Sequence, residues 1–470
     1  MLNVPIYDAV KKYVHSDPCV FHMPGHKLGK GIPGRFLEDM VSLDVTEIPG
    51  TDNLHAPEGA IAEAQELAAR AFGSDHTFFL VNGSTCGIHA MIMTVCKPGQ
   101  KLIVARDCHK AVINGMMLAG VTPVFIKPRF DSLFGISTAV TPEEVGHALD
   151  MHPDARGVFV TRPNYYGICS DIEAIAAVTH RHGKILMVDE AHGAHLRFSP
   201  ELPDCAMDSG ADMCVQSAHK TLPALTQGAY LQVKSKNIDM DRLKFNLSLI
   251  QTSSPSYILM AYLDIARAIM EDEGRNKIKG LLEQIAKFEK ELQGIAGLAV
   301  LNGNNREFRH DGTRLVIRVS DLGLTGFDAE EVLRREYGIQ VEMSDLKNIV
   351  CITTIADRAQ DLERLLRGLR GLAAGFKRRS SSADNGIREI PSLERGIEMG
   401  EALHADGEWI EIIRGAGRIS LQMITPYPPG IPVICPGEII TEEILEYIYT
   451  IKKLGGNITG LDGEIRVLKK

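Results

Sequence analysis

From about residue 58 the chain alternates between helical and strand-like hydrophobic patterns. Glu58 to Phe72 is Ala-rich with apolar positions at helical spacing, and Thr77 to Val81 is a short apolar run. Asn82-Gly83-Ser84-Thr85 follows that run and opens an apolar helix over Ile88 to Cys96, which Pro98-Gly99 stops. The alternation predicts strands at Lys101 to Ala105, Val121 to Ile126, Gly157 to Thr161, Lys184 to Val188 and Met213 to Gln216. Helices are expected at Lys110 to Ala119 and Ile172 to His182. Short β-branched runs interleaved with helices describe an α/β domain built on a parallel sheet. In such sheets ligands bind at the carboxyl ends of the strands.

The pattern divides the chain. Residues 1–35, rich in Gly, His and Pro, read as an irregular N-terminal arm, and 36–264 as the α/β major domain. Residues 265–375 read as a smaller α+β domain, with a charged helix at Ile278 to Gly294 and strands at Thr313 to Val319 and Ile349 to Thr354. Ala329 to Tyr337 and Ala356 to Ala373 supply its other helices. Residues 376–395 contain a polar stretch without periodicity and read as a linker. A C-terminal α+β domain takes 396–470; its run from Pro426 to Pro432 is too proline-dense for a helix or a central strand. The helix Thr441 to Leu454 follows it.

Composition narrows the class. At 470 residues, 44% hydrophobic and 24% charged, the chain is an ordinary globular protein of more than one domain. A net charge of −9 argues against a dedicated nucleic-acid binder. Nine cysteines without a C-x-x-C pair suggest neither a zinc ribbon nor a redox motif. No basic leader and no membrane-length apolar run is visible, so a cytoplasmic location is the expectation.

Four segments fall at or just after predicted strand ends: Asn82 to Thr85, Arg106 to His109, Asp189, and Ser217 to Lys220. Lys220 can form an imine with an aldehyde cofactor, and the apolar Met213-Cys214-Val215 before it suggests the burial that activates an amine. Asp189 can keep a pyridine nitrogen protonated. Together they are the minimum equipment for pyridoxal phosphate chemistry. Gly83, Ser84 and Thr85 at a helix start suit a phosphate. Ser217 and His219 could add contacts to it, His109 could stack on a ring, and Ala191 is small enough to lie under one. Each group alone has a plain structural reading: a solvent lysine, a capping carboxylate, a capped helix start, a hydrogen-bonded histidine. Their convergence on one rim carries the argument.

Two other motifs fail. Asp189-Glu190-Ala191-His192 also occurs in helicases, but Gly29-Lys30 and Gly183-Lys184 are not followed by Ser or Thr, so no phosphate-binding loop accompanies it. His192 and His195 lack a third ligand for a metal site, so no metal is expected.

With these residues in view the chain resembles the Orn/Lys/Arg decarboxylase family, in its short bacterial form without an N-terminal wing domain. The resemblance rests on Met23-Pro24-Gly25-His26-Lys27, Pro49 to His55, Asp189 to His195, Ser217 to Lys220, Thr252 to Tyr257, Pro426 to Pro432 and Pro436-Gly437-Glu438. It implies a PLP-dependent transferase fold (aspartate aminotransferase-like, fold type I), pyridoxal 5'-phosphate as cofactor, and a homodimer or higher homo-oligomer with shared active sites. By resemblance Lys220 is the Schiff-base lysine, Asp189 the partner of the ring nitrogen and His109 the stacking residue. Ser84, Thr85, Ser217 and His219 are phosphate ligands, and His192 lies near the ring oxygen. Ser253 and Ser254 reach the neighbouring subunit's cofactor. The sequence departs from longer forms at Gly83-Ser84-Thr85-Cys86 and at Ala218.

The expected reaction is decarboxylation of a basic amino acid, arginine favoured over lysine or ornithine, giving an amine of polyamine metabolism. A cationic side chain needs an acid, and Glu47, Asp52, Glu58 and Glu438 are the candidates. An aminotransferase would instead clamp a carboxylate with Arg314 or Arg318. A catalytically silent PLP-binding regulator is the non-enzymatic alternative.

Overall fold

The structure, a computed structural model, describes residues 4–303, 308–376, 389–426 and 430–469. Seven strands form the central sheet: β1 (His76–Leu80), β2 (Lys101–Ala105), β3 (Thr122–Ile126), β4 (Gly157–Thr161), β5 (Ile185–Asp189), β6 (Met213–Gln216) and β7 (Ala229–Val233). Their order is β1-β7-β6-β5-β4-β2-β3. Strands β3, β2, β4, β5 and β6 are mutually parallel. β7 runs antiparallel to both β6 and β1, so β1 again points the same way as the rest. All six parallel strands therefore end on one rim.

Both faces of the sheet are covered, which is why its strands are continuously apolar. Alternate residues enter opposite cores: Ile103, Val158, Leu186, Val188 and Cys214 go to one, and Leu102, Val104, Phe159, Met187 and Val215 to the other. The helix Gly83–Val95 packs in the second core through Ile88, Met91 and Ile92.

Residues 257–292 are helical without a break: Tyr257–Ile269, a π-turn at Met270–Gly274, then Arg275–Leu292. The expected border at 265 lies inside this stretch. Beyond it, strands Ala299–Val300, Arg314–Arg318, Asn348–Ile352 and Met343–Ser344 form an antiparallel sheet in that order. Helices Arg275–Leu292, Gly326–Tyr337 and Ala359–Gly375 contribute to its core.

The N-terminal arm is not irregular. Pro5–His15 is a helix with Pro at its first turn, Asp8 near its start and Lys12 and His15 near its end, an arrangement that suits the helix dipole. Cys19–Phe21 is a strand that pairs in parallel with Ile339–Val341. Phe21 is fully buried in the small-domain core.

The C-terminal part pairs Gly407–Glu411 with Glu464–Leu468, and Glu442–Lys453 packs Ile444 and Ile448 beside them. Residues 377–388 of the expected linker and Tyr427 to Pro429 of the proline-dense run lie outside the described residues. Among the described residues, no helix is long and apolar enough to cross a membrane.

Candidate active site

The rim collects the segments singled out from the sequence. Lys220 sits in the single helical turn Ala218–Thr221 that directly follows β6. Its Nζ lies 3.0 Å from His192 Nε2 and 5.8 Å from the centre of the Tyr165 ring. Burial lowers its pKa, Arg314 lowers it further, and Asp189 and Glu342 oppose the shift. Asp189, the last residue of β5, is 3% exposed. Its Oδ1 accepts from the Ala191 N–H at 3.1 Å. Burial raises its pKa, and the neighbouring Lys220 opposes the shift.

His192 follows within the same turn and is buried. Its ring packs against Tyr165 with centroids 4.7 Å apart, and its Nδ1 lies 3.1 Å from Arg314 Nη2. Burial and the surrounding cations push its pKa well below the usual value. His109 follows β2 and accepts the Ala111 N–H on Nδ1 at 3.2 Å, so it caps the helix Lys110–Ala119. Burial, then Lys220, takes its pKa down to about 3. At neutral pH His109 is thus a flat, uncharged ring carrying its proton on Nε2.

At the start of the helix Gly83–Val95, Ser217 Oγ donates to Ser84 Oγ at 2.8 Å. Gly83 sits at φ 73°, which only glycine adopts easily, and its N–H goes to Gln227 O at 2.9 Å. No side chain caps this helix. Its first-turn N–H groups, beside the Ser84, Thr85 and Ser217 hydroxyls, are an anion cradle by construction. His219 is anchored to the backbone beside Lys220. Its Nδ1 faces the Gly228 carbonyl oxygen at 3.0 Å and must donate to it. Burial lowers its pKa to about 4, so the ring is neutral and Nε2 carries a lone pair.

Of the expected substrate acids, Asp52 and Glu438 are engaged within the chain, and Glu47 and Glu58 lie on its surface. Asp52 accepts five backbone N–H groups, from Asn53, Glu58, Gly59, Ile61 and Ala62, at 2.8–3.2 Å. They take its pKa down to about 2 against the opposing effect of burial, and its role is to cap the helix Ala60–Phe72. Glu58 is exposed, and Glu47 accepts from Thr46 Oγ1 at 2.6 Å on the surface. Glu438 is buried; its Oε2 accepts from Cys435 N–H at 2.6 Å and from Arg106 Nη2 at 3.4 Å. Arg106 also donates to Pro432 O at 2.5 Å and Val433 O at 3.3 Å. Glu438 therefore helps join the C-terminal part to the end of β2. Ser253 and Ser254 are exposed, in a loop held to its own chain through Thr252 O and His55 Nε2 at 2.9 Å. Of the two arginines, Arg318 pairs with Asp321 at 2.8 Å, away from His192, whereas Arg314 contacts it.

Three residues that bear on the site escaped the sequence reading. Tyr165 flanks Lys220 and His192. Glu190, fully buried, binds Arg162 Nη1 at 3.2 Å, Gln216 Nε2 at 2.8 Å and Ala206 N–H at 2.7 Å, bracing the strand ends around Asp189. Asp107, two residues before His109, is 8% exposed, and burial raises its pKa to about 7. It lines a cleft of about 960 Å³, open mouth included, that Tyr165, Tyr166, Phe327 and Tyr447 also line. Among the described residues, the charged side chains of this lining are acids, Asp107 and Asp345. Asp345 is held by Asn348 and by the Tyr166 hydroxyl, leaving Asp107 to face the space. A run of three polar residues after a strand gave no sign that one would be enclosed.

An amine with a depressed pKa, a buried acid at a neighbouring strand end, an uncapped helix start among hydroxyls and a neutral ring beside them fit pyridoxal phosphate group by group. Fold and site thus define a PLP-dependent enzyme with the aspartate-aminotransferase-like architecture. The chain belongs to the Orn/Lys/Arg decarboxylase family: residues 4–310 match the profile of its major domain and 398–470 that of its C-terminal domain. It is a decarboxylase, and pyridoxal phosphate is its cofactor. It is 39% identical to the arginine decarboxylase of Bacillus subtilis (strain 168), over 100% of this chain and 98% of that one. Among solved structures, lysine decarboxylase A of Pseudomonas aeruginosa superposes with a TM-score of 0.80 at 21% identity, covering 99% of this chain and 80% of that one. Alanine–glyoxylate aminotransferase of Nostoc sp. superposes at 0.59 with 15% identity, covering 76% and 95%. These two likenesses concern the fold.

Proposed function

We propose that this enzyme removes the α-carboxylate of arginine, and that its cleft receives the guanidinium end of the substrate. The observation that supports a basic substrate is the charge of the cleft: it shares Tyr165 with Lys220, and the charged side chains of its lining among the described residues, Asp107 and Asp345, are both acids. A carboxyl in an apolar enclosure favours a cation. The name of the Bacillus subtilis relative points to arginine among the basic amino acids.

Lys220 would hold the cofactor covalently, Asp189 its ring nitrogen, and the Gly83–Val95 helix start with Ser84, Thr85 and Ser217 its phosphate. His109 and Ala191 would lie against its ring, and His192 near its ring oxygen. Bound pyridoxal phosphate supplies a sink for the electron pair left on Cα when carbon dioxide departs. Asp189, kept in low dielectric, supplies negative charge where that pair is drawn, and it needs no reorganisation to do so. Lys220 Nζ and His109 Nε2 are the groups able to carry a proton back to Cα. Asp107 and Tyr165 orient the substrate, and orientation is a large part of the rate when the leaving group needs no acid.

The same reading places the protein in the cytoplasm as a homodimer, with its amine product entering polyamine formation. All nine cysteines are free and buried, which supports a reducing compartment. Exposed Ile6, Tyr7 and Val10 on the N-terminal helix, with Val41 and Ile48 nearby in sequence, support a subunit contact. Ser253 and Ser254, exposed in this chain, would face the second subunit's site.

A panel of arginine, lysine and ornithine, with carbon dioxide and amine product measured together, tests the function. One equivalent of each per arginine consumed, without an added keto acid, is expected. Strict dependence on a keto-acid acceptor would overturn it.

A further inference from the structure

Three nitrogen-bearing side chains stand in a row in the site: Arg314, His192 and Lys220. Arg314 Nη2 lies 3.1 Å from His192 Nδ1, and Lys220 Nζ lies 3.0 Å from His192 Nε2. Arg314 is 2% exposed, on the first residue of its strand. Gly167 backs it: a Cβ at that position would come within 2.7 Å of Arg314 Cβ. Its Nε and Nη1 have no hydrogen-bond partner among the described residues, so His192 receives its one side-chain hydrogen bond.

Guanidinium can only donate, and it does not lose its proton in proteins. His192 Nδ1 must therefore accept. A neutral imidazole with a lone pair on Nδ1 carries its hydrogen on Nε2. That hydrogen points at Lys220 Nζ, which must then accept in turn. An ammonium has no lone pair, and only the free amine can accept. The other arrangements fail. A proton on Nδ1 would face the Arg314 donor. A doubly protonated ring would stand between two cations. Turning the ring over would set C–H groups against both neighbours.

We infer that Arg314 is a positioning residue that fixes the tautomer of His192 and thereby holds Lys220 as a neutral amine. The remaining groups around Lys220 are Asp189 and Glu342, which favour its charged form, Arg314 itself, which disfavours it, and the imidazoles of His109 and His219. Tyr165 offers Lys220 its ring face. The hydrogen-bond row decides the balance where these charges oppose one another. The inference rests on reading Lys220 as the residue that binds the cofactor, for which a free amine is the reactive form.

The test is ¹⁵N NMR of the full-length chain labelled in histidine, with and without cofactor, the His192 signal assigned by its loss in His192→Asn. The wild type should show Nδ1 unprotonated and Nε2 protonated near neutral pH. Arg314→Met should lose that fixed tautomer. Arg314→Lys, which keeps a donor of nearly the same reach, should retain it. In the cofactor-free chain, acetylation of Lys220 by acetic anhydride at pH 7, read by peptide mass, should slow roughly tenfold or more in Arg314→Met, as a one-unit rise in pKa requires. A wild-type signal with Nδ1 protonated would overturn the inference, even if Arg314→Met fails to fold. So would an unchanged tautomer in a folded Arg314→Met. Neither result touches the decarboxylase reading, which stands or falls on carbon dioxide release by the wild type.

Discussion

A Cβ built on Gly25 would stand 2.5 Å from the carbonyl oxygen of Leu222, two residues past Lys220. The Gly25 N–H donates to His219 O at 2.7 Å, and Thr354 Oγ1 donates to Gly25 O at 2.8 Å. The N-terminal arm is thus strapped over the turn that carries the lysine and tied to the small domain behind it. Gly25→Ala has no room, and backbone must move. We expect kcat to fall by about 10²-fold, the scale of a 1 Å misplacement, with a stability loss of about 1–3 kcal/mol from overpacking. Steady-state kinetics and a urea melt check it; unchanged kcat would mean the arm does not position Lys220.

Lys220→Ala and Asp189→Asn separate attachment from electronics. Lys220→Ala should abolish turnover and the visible absorbance of the lysine-bound cofactor. Asp189→Asn should still take up cofactor but lose about 10²–10³-fold in kcat, the scale of one preorganised electrostatic group. Turnover within tenfold of wild type in Asp189→Asn would remove Asp189 from the chemistry.

Much of this was legible in the sequence because period and position agree. Lys101–Ala105, Gly157–Thr161 and Met213–Gln216 are apolar, short and bounded by polar residues, so the strands and the residues at their ends could be read together. The antiparallel strand Ala229–Val233 carries Gln232 among its apolar residues and follows a loop without a helix, so no alternation marked it. The surroundings of the candidate substrate acids were hidden for a different reason. Asp52 and Glu438 look free in sequence, yet backbone N–H groups and Arg106 converge on them only once the chain folds. Asp107 has the opposite history. It sits among the three polar residues of Arg106 to His109, and only the packing of the small and C-terminal parts encloses it.

Glu190 tests the bracing of the rim. Its carboxylate is fully buried and bound by Arg162, Gln216 and the Ala206 N–H. Removing one partner of a buried ion pair leaves the other charge stranded, at about 3–5 kcal/mol. Glu190→Ala should lose that much in chemical denaturation, and Glu190→Gln, which keeps the shape and one acceptor, visibly less. Equal losses would show that shape rather than charge matters there.

Two histidines give the folded state an acid limit. His109 and His219 are held neutral, at about 3 and about 4, whereas the unfolded chain titrates near the ordinary 6.5. Between those values the unfolded chain binds protons that the folded one refuses. Their contribution is complete above pH 6.5 and is lost as the pH falls toward 4. Asp107, raised to about 7, acts in the opposite sense in that window and offsets part of the loss. Linkage makes the contribution of the two histidines fall by about 4 kcal/mol from pH 6.5 to 4.5, while Asp189, Glu190 and Glu438, also raised by burial, side with Asp107. The urea midpoint of His219→Gln should therefore gain on that of wild type as the pH falls across the range. An identical slope in that variant would remove His219 from the account.

Asp107→Asn should weaken substrate binding and strengthen the fold at once. The carboxyl is enclosed and its pKa raised, so ionisation above pH 7 opposes folding. The stabilising effect of the protonated form is complete below pH 3.8 and disappears as the pH rises through 7. An amide has nothing to ionise. Relative to pH below 3.8, the variant should gain on wild type by up to about 4 kcal/mol at pH 8 and by less than half of that at pH 5. A cationic substrate loses its counter-charge in the same exchange. Its KM should rise about 10–100-fold, the scale of one hydrogen bond to a charged group, while kcat changes far less, because Asp107 lies away from the scissile bond. Thermal melts at the two pH values and kinetics with arginine decide the matter. A stability gain without a change in KM would keep Asp107 buried but move the substrate's cation to another wall of the cleft.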